Sequence, residues 1–173
     1  MSMTAIRVIR PASLEDFEAL QSLRRGHCQH VYKGFDVLCN LQDDQEFHDI
    51  FVQWLADSSI RISLLFLDQV LTAFCTYRFT GTSSGEILEL QYQPDAALAD
   101  IQLMVESVLK DMELAGVPFA QVWILRDNLR SRFHYQQFGF KPIGGSKEKK
   151  VGDTSLFYTR YVYCIKECPP EAI

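Results

Sequence analysis

From residue 96 to residue 143 the apolar pattern of the chain changes period more than once, and that alternation limits the folds open to it. Between Ala96 and Ala115, the residues Leu98, Ile101, Met104, Val105, Val108 and Met112 recur at helical spacing. Gly116 and Pro118 stop that helix. "FAQVWIL", Phe119 to Leu125, then reads as a strand. Asp127 or Asn128 can cap a second helix, which Gly139 can close, and Phe140 to Ile143 reads as a strand again. Helices that alternate with strands in this way must cover the faces of a sheet.

The remainder of the chain extends that sheet. Ala5 to Arg10 alternates as a strand and Pro11 ends it. Ser13 followed by Asp16 is a capping signature, after which Leu14, Phe17, Leu20 and Leu23 recur at helical spacing until Gly26 interrupts them. Asp43 to Ala56 reads as another helix, with Phe47, Ile50, Phe51, Trp54 and Leu55 on one face. Arg61 to Leu67 and Val70 to Phe79 read as two strands joined by a tight turn at Asp68-Gln69. "TGTSSG" is a loop, Glu86 to Tyr92 a strand, and Ser155 to Ile165 the last strand. "IGGSKEKKVGDT" connects it to the strand before. The predicted order is one strand, helices, three strands, a helix, a strand, a helix and two strands. That is an α+β (mixed α/β) architecture around one sheet, expected to form a single domain over residues 1–173.

Composition excludes several classes. The chain carries 47% apolar and 23% charged residues, ordinary for a soluble protein, and a net charge of −5 with a pI near 5.3. A basic footprint for nucleic acid is missing, and Lys147, Lys149 and Lys150 read as a solvated turn. The five cysteines, Cys28, Cys39, Cys75, Cys164 and Cys168, form no C-x-x-C pair, which fits a reducing cytoplasm better than a disulfide framework. No secretory leader is expected from "MSMTAIRVIRP", and the longest apolar stretch, Ile60 to Phe74, is a hairpin rather than a membrane span.

"VWILRDNLRSRFHYQQFGFKPIGG", Val122 to Gly145, resembles the GCN5-related N-acetyltransferase (GNAT) superfamily. Asn128 stands at the end of a strand, His134-Tyr135 on the following helix, and Gly139-Phe140 before the next strand. The family usually has Phe before the Tyr, so His134 is a departure. "IRVIRPASLEDFEALQSL" resembles the first strand and helix of that family, "HVYKGF" the segment bordering its acceptor site, and "GEILELQYQPD" its fourth strand and the turn after it. The resemblance implies a twisted, mostly antiparallel sheet flanked by helices, and acyl transfer from acetyl-CoA, or another acyl-CoA, to a primary amine.

Such chemistry needs a base for the amine proton and an acid for the departing thiolate. By resemblance the acid is Tyr135, which could equally be a half-buried aromatic of its helix. Candidate bases are Glu89 and Glu86, which alternation puts on opposite faces of their strand, with Glu89 preferred for its place nearer the middle. Asn128 is expected near the cofactor, although an N-cap is a sufficient role for it. The resemblance places the coenzyme A beside Tyr92 and the loop backbone of Leu98, Ala99, Asp100, Ile101 and Gln102. The acceptor would enter by Tyr32, Phe35 and the final hairpin. A homodimer is possible, with "FYTRYVYCI" added to a neighbour's sheet edge.

The loop itself departs from the family. The family's Arg/Gln-x-x-Gly-x-Gly/Ala pattern lets backbone amides at a helix start grip the diphosphate, and Ala97, Leu98, Asp100 and Gln102 stand at the matching positions here. Leu98 puts a branched side chain where backbone should meet phosphate. Asp100 brings a like charge, worth roughly 4 kcal/mol of repulsion at ~4 Å and an effective dielectric of 20. Asp95 or Asp100 could also cap the helix and consume its amides. Two functions therefore stay open: an N-acyltransferase, or a GNAT-fold binding or regulatory module that has lost coenzyme A. His27 and His30 could share a helix face, but with no third ligand by spacing no metal is expected.

Overall fold

The computed structural model describes residues 5–31 and 44–166. Over these, β1 (Arg7–Pro11), α1 (Phe17–Val31), α2 (Asp44–Ala56), β2 (Ile60–Leu67), β3 (Val70–Thr80), β4 (Ser84–Tyr92), α3 (Leu98–Leu114), β5 (Phe119–Leu125), α4 (Leu129–Gln137), β6 (Lys141–Val151) and β7 (Thr154–Cys164) follow in order. The seven strands form one sheet in the order β1-β2-β3-β4-β5-β7-β6. The pairs β1/β2, β5/β7 and β6/β7 are antiparallel, and β4/β5 is parallel. The chain divides into two compact units, Met1–Tyr77 with Glu89–Val108, and Arg78–Leu88 with Leu109–Ile173.

The first unit is built on an apolar cluster of Leu20 and Leu23 from α1, Phe51 from α2, Ile62 and Leu64 from β2, and Leu71 and Phe74 from β3. The sequence provides it by period: Leu20, Leu23 and His27 on one face of α1, Phe47 and Phe51 one turn apart on α2. α1 does not stop at Gly26 but runs through it. A mid-helix glycine costs about 1 kcal/mol relative to alanine, and burial of Leu23 before it and His27 and Cys28 after it outweighs that. Leu14 is exposed, because the chain enters α1 through a 3-10 turn, Leu14–Asp16. There the Ser13 amide donates to the Asp16 carboxylate at 2.8 Å, as the capping signature requires. At the β2–β3 turn both Asp68 and Gln69 have positive φ, the conformation of a two-residue hairpin loop.

In the second unit β5 is paired to β7 along its whole length, from Phe119 opposite Cys164 to Leu125 opposite Tyr158. Gly85 pairs with Ala120 on β5 and is pressed by Met112, whose sulfur would lie 2.4 Å from any Cβ at that position. α3 ends as expected at Gly116, which has φ +81° and whose successor Val117 donates to the Met112 carbonyl. Lys147, Lys149 and Lys150 lie not in a turn but in β6, which continues past an irregularity between Pro142 and Ser146. Gly144 and Gly145 take positive φ there, so loop-like composition marks a bulge inside a strand. β7 has partners on both sides, so it has no edge to offer a neighbouring sheet; the edge strands are β1 and β6.

Candidate functional site

In the first unit the C-terminal half of β4 carries Glu89, Gln91 and Tyr92. Glu89 and Gln91 are two residues apart and share a face. Gln91 Nε2 donates to Glu89 Oε2 at 3.3 Å. Glu89 is half-buried; burial of its carboxyl pushes its pKa up to about 7, against the opposing pull of the Arg24 charge on α1. Cys75 of β3 is buried beside it, and burial, then the Glu89 charge, push that thiol up as well. Gln91 is 7% exposed, and its Oε1 is buried with no hydrogen-bond partner.

The ring of Tyr92 is buried and meets the His27 ring edge-on at 4.6 Å. His27 Nδ1 stands 3.2 Å from both the amide nitrogen and the carbonyl oxygen of Tyr92, and the tautomer decides which of the two it bonds. The next amide, Gln93, donates to Thr72 of β3 at 2.8 Å. Tyr92 therefore holds α1 to the end of β4, and its side chain does not open to solvent as an exposed cleft wall would.

At the start of α3 the five loop positions separate. Asp100 is 3% exposed and turns to Arg7 of β1, whose Nε donates to Oδ1 at 2.6 Å. Its charge is thereby neutralised, and it does not cap the helix. The Asp100 and Ile101 amides both donate to the Ala97 carbonyl. Among the described residues no side chain accepts from the Leu98 or Ala99 amides, and Asp95 caps nothing. Leu98 is exposed rather than part of the core face, whereas Ile101 is buried and Gln102 donates to Glu106 one turn on. Leu98 and Ala99 thus offer backbone amides, the Asp100 amide is used within the turn, and the side chains of Ile101 and Gln102 serve the helix.

The second unit holds Glu86, Asn128 and Tyr135. Glu86 is buried against Arg78, which reaches Oε2 through Nη2 at 2.6 Å and Nε at 2.8 Å. A carboxylate fixed by two charge-assisted bonds is a poor base, which separates the two candidates. Asn128 Oδ1 accepts from the Ser131 amide at 3.0 Å, the N-cap of α4. Tyr135 is buried, with its ring edge-on to Phe140 at 5.1 Å and near Phe138. His134, in the position where the departure occurs, has its pKa lowered by burial and then by the Arg130 charge. Tyr32 and Phe35 lie outside the described residues. Among the described residues no group of three His, Cys, Asp or Glu side chains could hold a metal, and no helix is long and apolar enough to cross a membrane.

Sequence reasoning does not mark Arg7 or Gln91, and it weighs His27 only as a metal ligand, not as a partner of Tyr92. For Gln91 the signal exists, since it follows Glu89 by one strand period. For Arg7 and His27 none does, because their partners are 93 and 65 residues away.

No protein-family model matches the chain, and no curated protein is similar to it in sequence. Solved structures are similar in fold. A probable acetyltransferase of Staphylococcus epidermidis is 14% identical, with a TM-score of 0.76 over 92% of this chain and 99% of its own. The PaiA N-acetyltransferase of Thermoplasma acidophilum, solved with coenzyme A, is 20% identical, with a TM-score of 0.72 over 91% and 99%. A probable GNAT-family acetyltransferase of Chromobacterium violaceum is 18% identical, with a TM-score of 0.73 over 92% and 87%. At these identities the likeness establishes the fold: the chain has the architecture of the GNAT acetyltransferases.

Proposed function

We propose that this GNAT-fold chain is an acyl-CoA-dependent N-acyltransferase that acetylates a primary amine. The observation that carries the reading is the first turn of α3. Its Leu98 and Ala99 amides are not taken by any described side chain, and Asp100, the residue best placed to repel a phosphate, is tied to Arg7. A helix start with free amides and a neutralised carboxylate fits the diphosphate of coenzyme A without glycine. The T. acidophilum structure with coenzyme A supports the same choice of co-substrate.

The co-substrate supplies an activated acyl thioester. The chain's own residues supply the rest. The Leu98 and Ala99 amides hold the anion. Glu89 takes the proton that the amine nitrogen loses as its bond to the acyl carbon forms; a carboxyl near pKa 7 is matched to that task at neutral pH. As the carbon–sulfur bond breaks, the departing thiolate takes a proton from an acid, the role that the family resemblance gives to Tyr135. Asn128 caps α4 and so keeps Tyr135 in place.

The second reading, a binding module without coenzyme A, is favoured by one feature, the glycine-free loop with Leu98 at its turn. Acetyl transfer from acetyl-CoA to a panel of primary amines decides between them. Glu89→Gln should lower kcat/KM by about 10²- to 10⁴-fold and remove the rise in rate near pH 7. A chain that acetylates none of the amines under any condition of donor and pH would support the module.

A further inference from the structure

Gln91 carries a group that nothing else in the described residues uses. Its Oε1 is buried and without a partner. A buried acceptor left unmade is costly, and native structures seldom keep one without a reason. The orientation of the amide is fixed by its neighbour: Nε2 faces the Glu89 carboxylate at 3.3 Å. Turning the amide over would set an oxygen against an ionised carboxylate, which has no hydrogen to give. As long as Glu89 is ionised, Oε1 must therefore point away from it. The charged group that acts on Glu89 is Arg24 from α1, and the Glu89 charge in turn acts on Cys75 of β3. Neither is tied to Oε1.

We propose that Gln91 is a positioning residue for the amine acceptor: its Nε2–H orients the Glu89 carboxylate, and its Oε1 receives an N–H of the incoming amine. The inference rests on the transferase reading for its chemistry. A neutral primary amine has two N–H bonds and an electron pair. As that pair forms the bond to the acyl carbon, one hydrogen passes to a Glu89 oxygen, so that N–H breaks and an O–H forms. A second N–H stays on Gln91 Oε1 and fixes the direction of that pair. A hydroxyl nucleophile has one hydrogen. Once Glu89 has it, Oε1 is left unmade, so the pair of acceptors selects nitrogen over oxygen.

The test begins without any acyl donor. Glu89 is titrated by carboxyl-carbon NMR in the full chain and in two variants, Gln91→Met, which keeps the volume and removes both polar atoms, and Gln91→Glu, which keeps the shape and has no N–H. Loss of a donor to the charged form should raise the Glu89 midpoint by about one pH unit in each. n-Butylamine should shift the Gln91 side-chain amide signal where n-butanol does not, and Gln91→Met should bind the amine about tenfold more weakly. A midpoint that stays in place in both variants, or equal response to amine and alcohol, would overturn the proposal. Failure of the transferase reading is read separately, as absence of acetyl transfer with the titration and amine response intact.

Discussion

Glu89 and Asp16 are carboxyls moved in opposite directions by their surroundings. Asp16 is held down to about 2 by the Arg10 guanidinium, at 2.6 and 2.9 Å, and by Ser13. Its folded pKa lies below its unfolded one, so its contribution is present above pH 4 and lost as pH falls toward 2. Glu89 is raised to about 7 by burial. Its contribution is complete below the ordinary carboxyl range and lost as pH rises from about 4.5 to 7, roughly 3 kcal/mol in all. Urea unfolding at a series of pH values should therefore show two separate effects. Glu89→Gln should flatten the decline between pH 4.5 and 7 and leave the acid limb alone, and Asp16→Asn should do the reverse. A Glu89→Gln curve parallel to the wild type across pH 4.5–7 would contradict the environment assigned to Glu89.

Asn128 tests the element scale. The one described bond of its side chain is the cap to Ser131, so Asn128→Ala should cost about 1 kcal/mol, and Asn128→Asp should retain most of it. The urea midpoint measures this, with the slope unchanged. Elements of this kind were legible in the sequence because their signals are local. Phe119–Leu125 is recovered without error, and the Asp68-Gln69 turn, the Asn128 cap and the Gly139 stop stand where their residue types require. The failures are local signals outweighed by something distant. Gly26 fails to break α1 because both its flanks are buried. β6 passes through Gly144 and Gly145 because pairing with β7 resumes beyond them. Leu98 has the right spacing for the core face of α3 yet lies one turn too early to reach it. In the site, Glu89 could be preferred over Glu86 by position on the strand. The reason that separates them, Arg78 on Glu86, comes from β3 and is visible only once the strands are placed. Asp100 reads in sequence as an obstacle to an anion, and only the fold brings Arg7 to it.

For the whole molecule, the fold limits assembly and the α3 start decides function. β7 is enclosed by β5 and β6, so a dimer formed edge to edge would have to use β1 or β6. Coenzyme A binding, the central claim, predicts a linkage that no local probe replaces. The most direct measurement is thermal unfolding with and without acetyl-CoA, taken to millimolar ligand, for the wild type and Leu98→Pro. Proline is well tolerated at the first position of a helix and removes only the amide that would face the phosphate. Saturation to ~100 times Kd stabilises by roughly 2.7 kcal/mol, which at about 2–4 °C per kcal/mol raises Tm by about 5–10 °C. That rise is expected in the wild type, and a smaller one in Leu98→Pro with its ligand-free Tm unchanged. A wild-type Tm that does not move at millimolar acetyl-CoA would contradict the account and leave the glycine-free loop as that of a binding module.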